Sequence, residues 1–238
     1  MLGRYVEALS SYDKAIENNP SGVNIYLNKA FLLEFLIRYD EAIICFNKAI
    51  ELNPETLYFY AFKSTVLIKQ GKIKEAIEIH DTLLRKYPQN EIAYHLKGNA
   101  LYLSGSYNES LECFDRAVKL NPGFASPYNG KGLSYAKLGR YEDAIKCFDQ
   151  AIEIQPQIST LHFNKGEILF RVQKYSEALE CIDKAINIDS NIPVYLLLKA
   201  NILERLGKKD EAEQWYYKYY ELNSKLPKPQ VYNILWGE

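Results

Sequence analysis

Apolar and small residues recur along this chain at helical spacing. Between Tyr141 and Ile152 they stand at Tyr141, Ala144, Ile145, Phe148, Ala151 and Ile152, which is i, i+3, i+4, i+7, i+10 and i+11, one stripe of an α-helix. The stripe ends at Gln155-Pro156, because a residue before proline is pushed out of the helical region and proline offers no donor for the next backbone bond. A second striped segment precedes each such helix, as in Ile92 to Leu103 with Tyr94, Gly98 and Leu101 on one side. Between the two segments stands Gly139 or an equivalent, Gly3, Gly71, Gly105 or Gly207, with Ile37 and Gln173 breaking the column. Glycine there suits the left-handed residue that closes a helix.

The pattern repeats. Pro20, Pro54, Pro88, Pro122 and Pro156 are spaced 34 residues apart, and Ser190 and Ser224 continue the series. Small residues hold the same interval at Ala8, Ala42, Ala76, Ser110, Ala144, Ala178 and Ala212, and again at Ala15, Ala49, Ala117, Ala151 and Ala185, where Leu83 and Tyr219 interrupt. Pro127, Pro193 and Pro229 fall in the first turn of first helices, where a missing N–H costs little. A single helix pair cannot bury its stripes, so the pairs must stack on one another.

These columns resemble the tetratricopeptide repeat, whose signature joins an aromatic, a Leu-Gly and a Tyr in the first helix to Ala, Phe and Pro in the second. The resemblance is strongest at Tyr94, Gly98, Tyr107, Phe114, Ala117 and Pro122, and at Tyr128, Gly132, Tyr135, Ala144, Phe148, Ala151 and Pro156. Tyr or His162 stands where the family has Trp, leucine mostly replaces the Tyr, and lysine replaces the Leu. The resemblance implies an all-α, right-handed α-solenoid, a superhelix of stacked antiparallel helix pairs. Residues 1–22 are then the second helix of a truncated first repeat, 23–226 hold six full repeats, and 227–238 form a short capping segment with Val231, Ile234, Leu235 and Trp236, all in one continuous solenoid.

Composition narrows the function. With 29 basic against 30 acidic residues and a net charge of -1, the chain lacks the basic stripe that neutralises phosphates, so no nucleic-acid partner is expected. No run of 18 apolar residues offers a membrane span, and the N-terminus has no signal-peptide character. A cytoplasmic location is expected, which leaves the sequon at Asn108 without consequence.

The chemistry-bearing residues read as structural. Cys45, Cys113, Cys147 and Cys181 share one column; equivalent residues on stacked helices lie roughly 8–10 Å apart, too far for a disulfide or a shared zinc. His80 stands in the aromatic column of Phe46, Phe114 and Phe148, and His162 in that of Tyr26, Tyr60, Tyr94 and Tyr128. Asn129-Gly130-Lys131-Gly132 lacks the flanking Gly and Ser/Thr of a phosphate loop. No nucleophile is paired with a base and no carboxylates converge, so neither catalysis, nor a metal, nor a cofactor is expected. The lysine column Lys29, Lys63, Lys97, Lys131, Lys165 and Lys199 is read as snorkelling side chains, with the column Glu7, Glu41, Glu75, Glu109, Asp143, Glu177 and Glu211 offering acids.

Columns that stay constant carry stacking, and columns that vary are free for recognition. The variable face lies on the first helices. In the tetratricopeptide family that face lines a concave groove for peptides or helices of partner proteins, which implies an unidentified protein or peptide partner met by Tyr58, Phe62, His95, Asn99, Tyr102, Asn129, Phe163, Glu167 and Phe170. The family's clamp for C-terminal carboxylates is not matched: His95, Asn99, Gly130, Thr160 and Asn164 occupy its positions and carry too little charge. The expectation is a non-catalytic protein–protein interaction scaffold. The alternatives are a segment that self-associates end to end into homo-oligomers, or the regulatory repeat portion of a larger protein.

Overall fold

A computed structural model describes residues 2–225. The capping segment expected at 227–238, with Pro229 and Val231 to Trp236, lies outside the described residues. Two compact units divide the chain after Pro122. The first contains α1 (Leu2–Asn18), α2 (Val23–Phe35), α3 (Tyr39–Leu52), α4 (Leu57–Lys69), α5 (Ile73–Lys86), α6 (Glu91–Leu103) and α7 (Tyr107–Leu120); the second contains α8 (Ala125–Lys137), α9 (Tyr141–Ile154), α10 (Ser159–Arg171), α11 (Tyr175–Ile188), α12 (Pro193–Arg205) and α13 (Lys209–Lys225). No strand occurs among the described residues. Within each unit the helices pair as hairpins and each hairpin packs on the next, so each unit is an all-α stack.

The hairpin turns follow from backbone chemistry. Each first helix closes with a residue at positive φ, whose N–H and whose successor's N–H bond back to the last turn: Gly71 N–H donates to Ile68 O at 2.9 Å and Lys72 N–H to Leu67 O at 2.8 Å. This two-bond closure satisfies carbonyls that the helix end leaves free. Ile37 (φ 62°) and Gln173 (φ 65°) adopt the same conformation without being glycine, so the break seen in the sequence column is not a break in the turn. Gly3, by contrast, lies inside α1. Second helices end in an extended residue before the proline, as at Asn53 (φ -145°) and Gln155 (φ -135°). Pro193 opens α12.

Packing explains the small columns. Ala42, Ala49, Ala117, Ala144, Ala151, Ala178 and Ala185 are fully buried, as are Phe46, Phe114 and Phe148. A Cβ on Gly98 would sit 2.6 Å from Phe114 Cε1, and one on Gly132 2.5 Å from Phe148 Cε1. The bare glycine is what lets the ring lie against the first helix. Tyr26 and Tyr60 reach back to the carbonyls of Pro20 and Pro54, both at 3.1 Å, and His162 Nε2 donates to Pro156 O at 2.8 Å. Tyr26, Tyr60 and His162 of this column thus tie α2, α4 and α10 to the loops before them.

The hairpin of α4 and α5 departs from this scheme. Ser64 replaces the glycine or alanine, His80 the phenylalanine, and Leu83 the second alanine. The two helices approach each other less closely than those of any other described hairpin, because larger side chains stand in both contact columns. His80 is fully buried, and its Nε2 lies 2.8 Å from Ser64 Oγ, which itself donates to Ala61 O at 3.0 Å. Nε2 is therefore the donor, and Nδ1 is buried without a partner.

Four lysines of the column pair with acids, and these lie outside the column of Glu41, Asp143, Glu177 and Glu211. Lys29 meets Asp13 at 2.5 Å, Lys97 meets Asp81 at 2.5 Å, Lys165 meets Asp149 at 2.6 Å and Lys199 meets Asp183 at 2.6 Å. Each pair joins a first helix to the second helix before it. The Glu41, Asp143, Glu177 and Glu211 column is occupied instead by bases three residues upstream, Arg38, Arg140, Lys174 and Lys208.

Candidate functional site

In the first unit the variable face of the first helices is aromatic and open. Phe31 of α2 and Phe62 of α4 meet edge to face with centroids 5.0 Å apart, and both rest on the buried Phe46 at 5.5 and 6.1 Å. A turn further along α2, Phe35 is 46% exposed and packs on Tyr5 of α1 at 5.4 Å. Tyr58, at the start of α4, is 50% exposed. Lys69 and Glu34 bridge α4 and α2 at 2.7 Å. An amphipathic helical segment or extended peptide laid here would meet rings whose faces are already ordered by the core below.

The next first helix carries polar groups. His95 and Asn99 of α6 are half-buried and bonded through Nε2 and Nδ2 at 3.1 Å, with the imidazole 5.8 Å from Phe114. Burial lowers the pKa of His95 to about 4, so the ring is neutral near pH 7 and acts as a dipole, not a cation. Tyr102 lies half-buried against Tyr107 at 5.6 Å.

In the second unit two of the same columns are closed on α10. Phe163 is only 2% exposed, stacked on Tyr195 with centroids 4.9 Å apart, while Tyr195 Oη is 3.1 Å from Ser159 Oγ. The ring expected as a groove anchor is therefore part of the core between α10 and α12. Glu167 is 7% exposed, and its Oε1 accepts from Arg171 Nη2 at 2.8 Å and Nε at 3.1 Å. Asn164 Nδ2 donates to Asn129 Oδ1 at 2.8 Å, joining α10 to α8. Phe170 is half-buried on Tyr175 at 5.6 Å. Phe62 thus joins an aromatic cluster, Asn129 a polar one, and Phe163 and Glu167 are interior. Phe31 and Phe35 escaped the sequence reading, although they occupy first-helix positions of the first full repeat, where two large apolar residues in variable columns were the available signal.

The cysteines are buried free thiols. Burial raises Cys113 to about 11 and pushes Cys45 and Cys181 up as well, which keeps them protonated and weakly nucleophilic. No group of three or more metal-ligating side chains assembles among the described residues, and no described helix is long and apolar enough to cross a membrane.

Models of the tetratricopeptide repeat match residues 23–56, 125–158, 159–192 and 194–226, and a further model described as a TPR repeat matches 98–139. The chain belongs to the tetratricopeptide repeat family. Arrays of this family generally serve as non-catalytic interaction scaffolds. Solved structures share the fold. A tetratricopeptide repeat protein from Parabacteroides merdae is 18% identical with a TM-score of 0.66, covering 95% of this chain and 89% of its own. MamA from Desulfovibrio magneticus RS-1 is 19% identical with a TM-score of 0.63, over 73% of this chain and 98% of its own. YrrB, whose structure is described as that of a TPR protein with an unusual peptide-binding site, is 26% identical with a TM-score of 0.50, over 78% of this chain and 95% of its own. No curated protein matches the chain at a significant level.

Proposed function

We propose that this tetratricopeptide array is a cytoplasmic, non-catalytic scaffold that holds a peptide or helix of a partner protein against its first helices, with the anchors concentrated in the first unit. The carrying observation is the row of exposed or half-exposed rings at Phe31, Phe35, Tyr58 and Phe62. Contiguous exposed apolar surface marks interaction sites, and aromatic anchors supply most of the energy of such interfaces. His95, Asn99 and Tyr102 add neutral polar groups that orient a bound backbone. In the second unit Asn129 and Phe170 stand on the corresponding first-helix columns, while Phe163 and Glu167 are interior. The peptide-binding site named for YrrB supports the same use of the fold.

The test is affinity purification with the wild type and with a Phe35→Ser, Tyr58→Ser double variant, both positions being exposed enough to spare the fold. A partner recovered by the wild type should be lost at least about tenfold with the variant, since anchors of this kind contribute roughly 2 kcal/mol each. Unchanged recovery overturns the placement of the groove. A second reading, end-to-end self-association, draws on the exposed Tyr217 and Tyr220 of α13; light scattering that shows a monomer at high concentration overturns it.

A further inference from the structure

Four lysines of the first-helix column hold an aspartate from the preceding second helix. That aspartate comes directly after Tyr12, His80, Phe148 or Ile182, as Asp13, Asp81, Asp149 and Asp183, but the corresponding residue before Lys63 is Asn47. Lys63 is half-buried and makes no ion pair among the described residues. Burial lowers its pKa, with only the more distant Glu75 opposing. A desolvated ammonium without its counter-charge is costly to keep.

Lys63 also lines an open cavity of about 540 Å³ between α3 and α5, floored by α4. The volume is that of small-molecule sites, which combine apolar walls with a few polar groups. Ile43, Ile50, Leu67 and Ile79 supply the walls, while Asn47, Glu75, Glu78 and the ion-paired Asp40 and Lys72 also line the cavity.

We propose that the cavity between α3 and α5 binds a small monocarboxylate with an apolar body, whose acid group takes at Lys63 the place that an aspartate fills beside the other lysines. The aliphatic walls take the body. Asp40, Glu75 and Glu78 outnumber Lys63 and Lys72 in the lining and disfavour polyanions, so one carboxylate is accepted at Lys63 and a di- or triphosphate is repelled. The site is independent of the first-helix groove, because it lies on the side of α4 that faces the second helices.

The probe is 4-methylpentanoate, with 4-methylpentanamide as the neutral isostere, followed through the carbon-13 Cε resonance of Lys63 assigned with Lys63→Met. The wild type should show a saturable shift and an upward move of the lysine titration with the carboxylate, and neither with the amide. In Asn47→Asp, which restores the aspartate that stands 16 residues before each of the other five lysines, the lysine should titrate higher without ligand. Binding there should weaken by about tenfold or more, the loss expected for a charge-assisted bond. No saturable shift in the wild type, an equal response to the amide, or undiminished binding by Asn47→Asp overturns the proposal. So does a response confined to N-acetyl-Leu-Glu-Leu-amide, which would make the site one for a polypeptide's acidic side chain.

Discussion

Protonation of His80 should unfasten the α4–α5 hairpin. The imidazole is fully buried, its Nε2–H is committed to Ser64 Oγ, and its Nδ1 has no acceptor to receive a new proton. Burial lowers its pKa from 6.5 to about 4. The folded state therefore binds its proton later than the unfolded chain, and stability present above pH 6.5 is lost as pH falls from there towards 4, below which both states are charged. The full gap corresponds to roughly 3 kcal/mol, and about 2 kcal/mol of it develops between pH 7 and pH 5. The comparison variant is Ser64→Gly with His80→Phe, which rebuilds the arrangement of Gly98 and Phe114 and has no group to titrate there. Urea denaturation followed by circular dichroism at pH 7 and pH 5 should show the wild type losing about 2 kcal/mol more than the variant, the contribution of His95 being common to both. An equal loss in the two proteins would refute the assignment of this acid sensitivity to His80.

Two further outcomes follow from the backbone and the core. Ile37→Gly should stabilise the first unit by about 1 kcal/mol, because a β-branched residue in the left-handed region costs roughly 1–2 kcal/mol and glycine returns part of that as chain entropy; Ile37 is 69% exposed, so little burial is forfeited, and a lowered melting temperature contradicts it. Gly98→Ala should destabilise by about 1–3 kcal/mol, since the new Cβ would stand 2.6 Å from the Phe114 ring in a core that resists overpacking; an unchanged urea midpoint contradicts it.

The helices, their turns and their contact columns were legible because stacking makes the same demand in every copy, and seven copies average out local exceptions. The exceptions themselves were not. Ile37 and Gln173 interrupt a glycine column that the backbone nevertheless maintains, since the closing bonds of the turn outweigh the strain of one side chain. The lysines' acids lay hidden because each is 16 residues back, as in Lys97 and Asp81, a distance with no meaning inside a helix and a fixed one between stacked helices. The site was least legible. Whether a variable aromatic is open, like Tyr58, or interior, like Phe163, depends on what the next first helix brings to it, and Tyr195 is supplied by a different hairpin. Phe31 was missed for the complementary reason: its role rests on Phe62, a residue of the following repeat.

The lysine–aspartate pairs bear on how such a chain could lengthen. A 34-residue unit that carries its lysine at the front and its aspartate at the back brings both halves of a fastener, so a duplicated copy engages its neighbours on either side with no new surface to invent. The units with Asn47 and Tyr217 are the exceptions, because whatever follows either one inherits a lysine with nothing to hold. A gene that grew by copying a unit with its aspartate would gain a fastened link, whereas copying the Asn47 unit would gain a second cavity of the kind now beside Lys63.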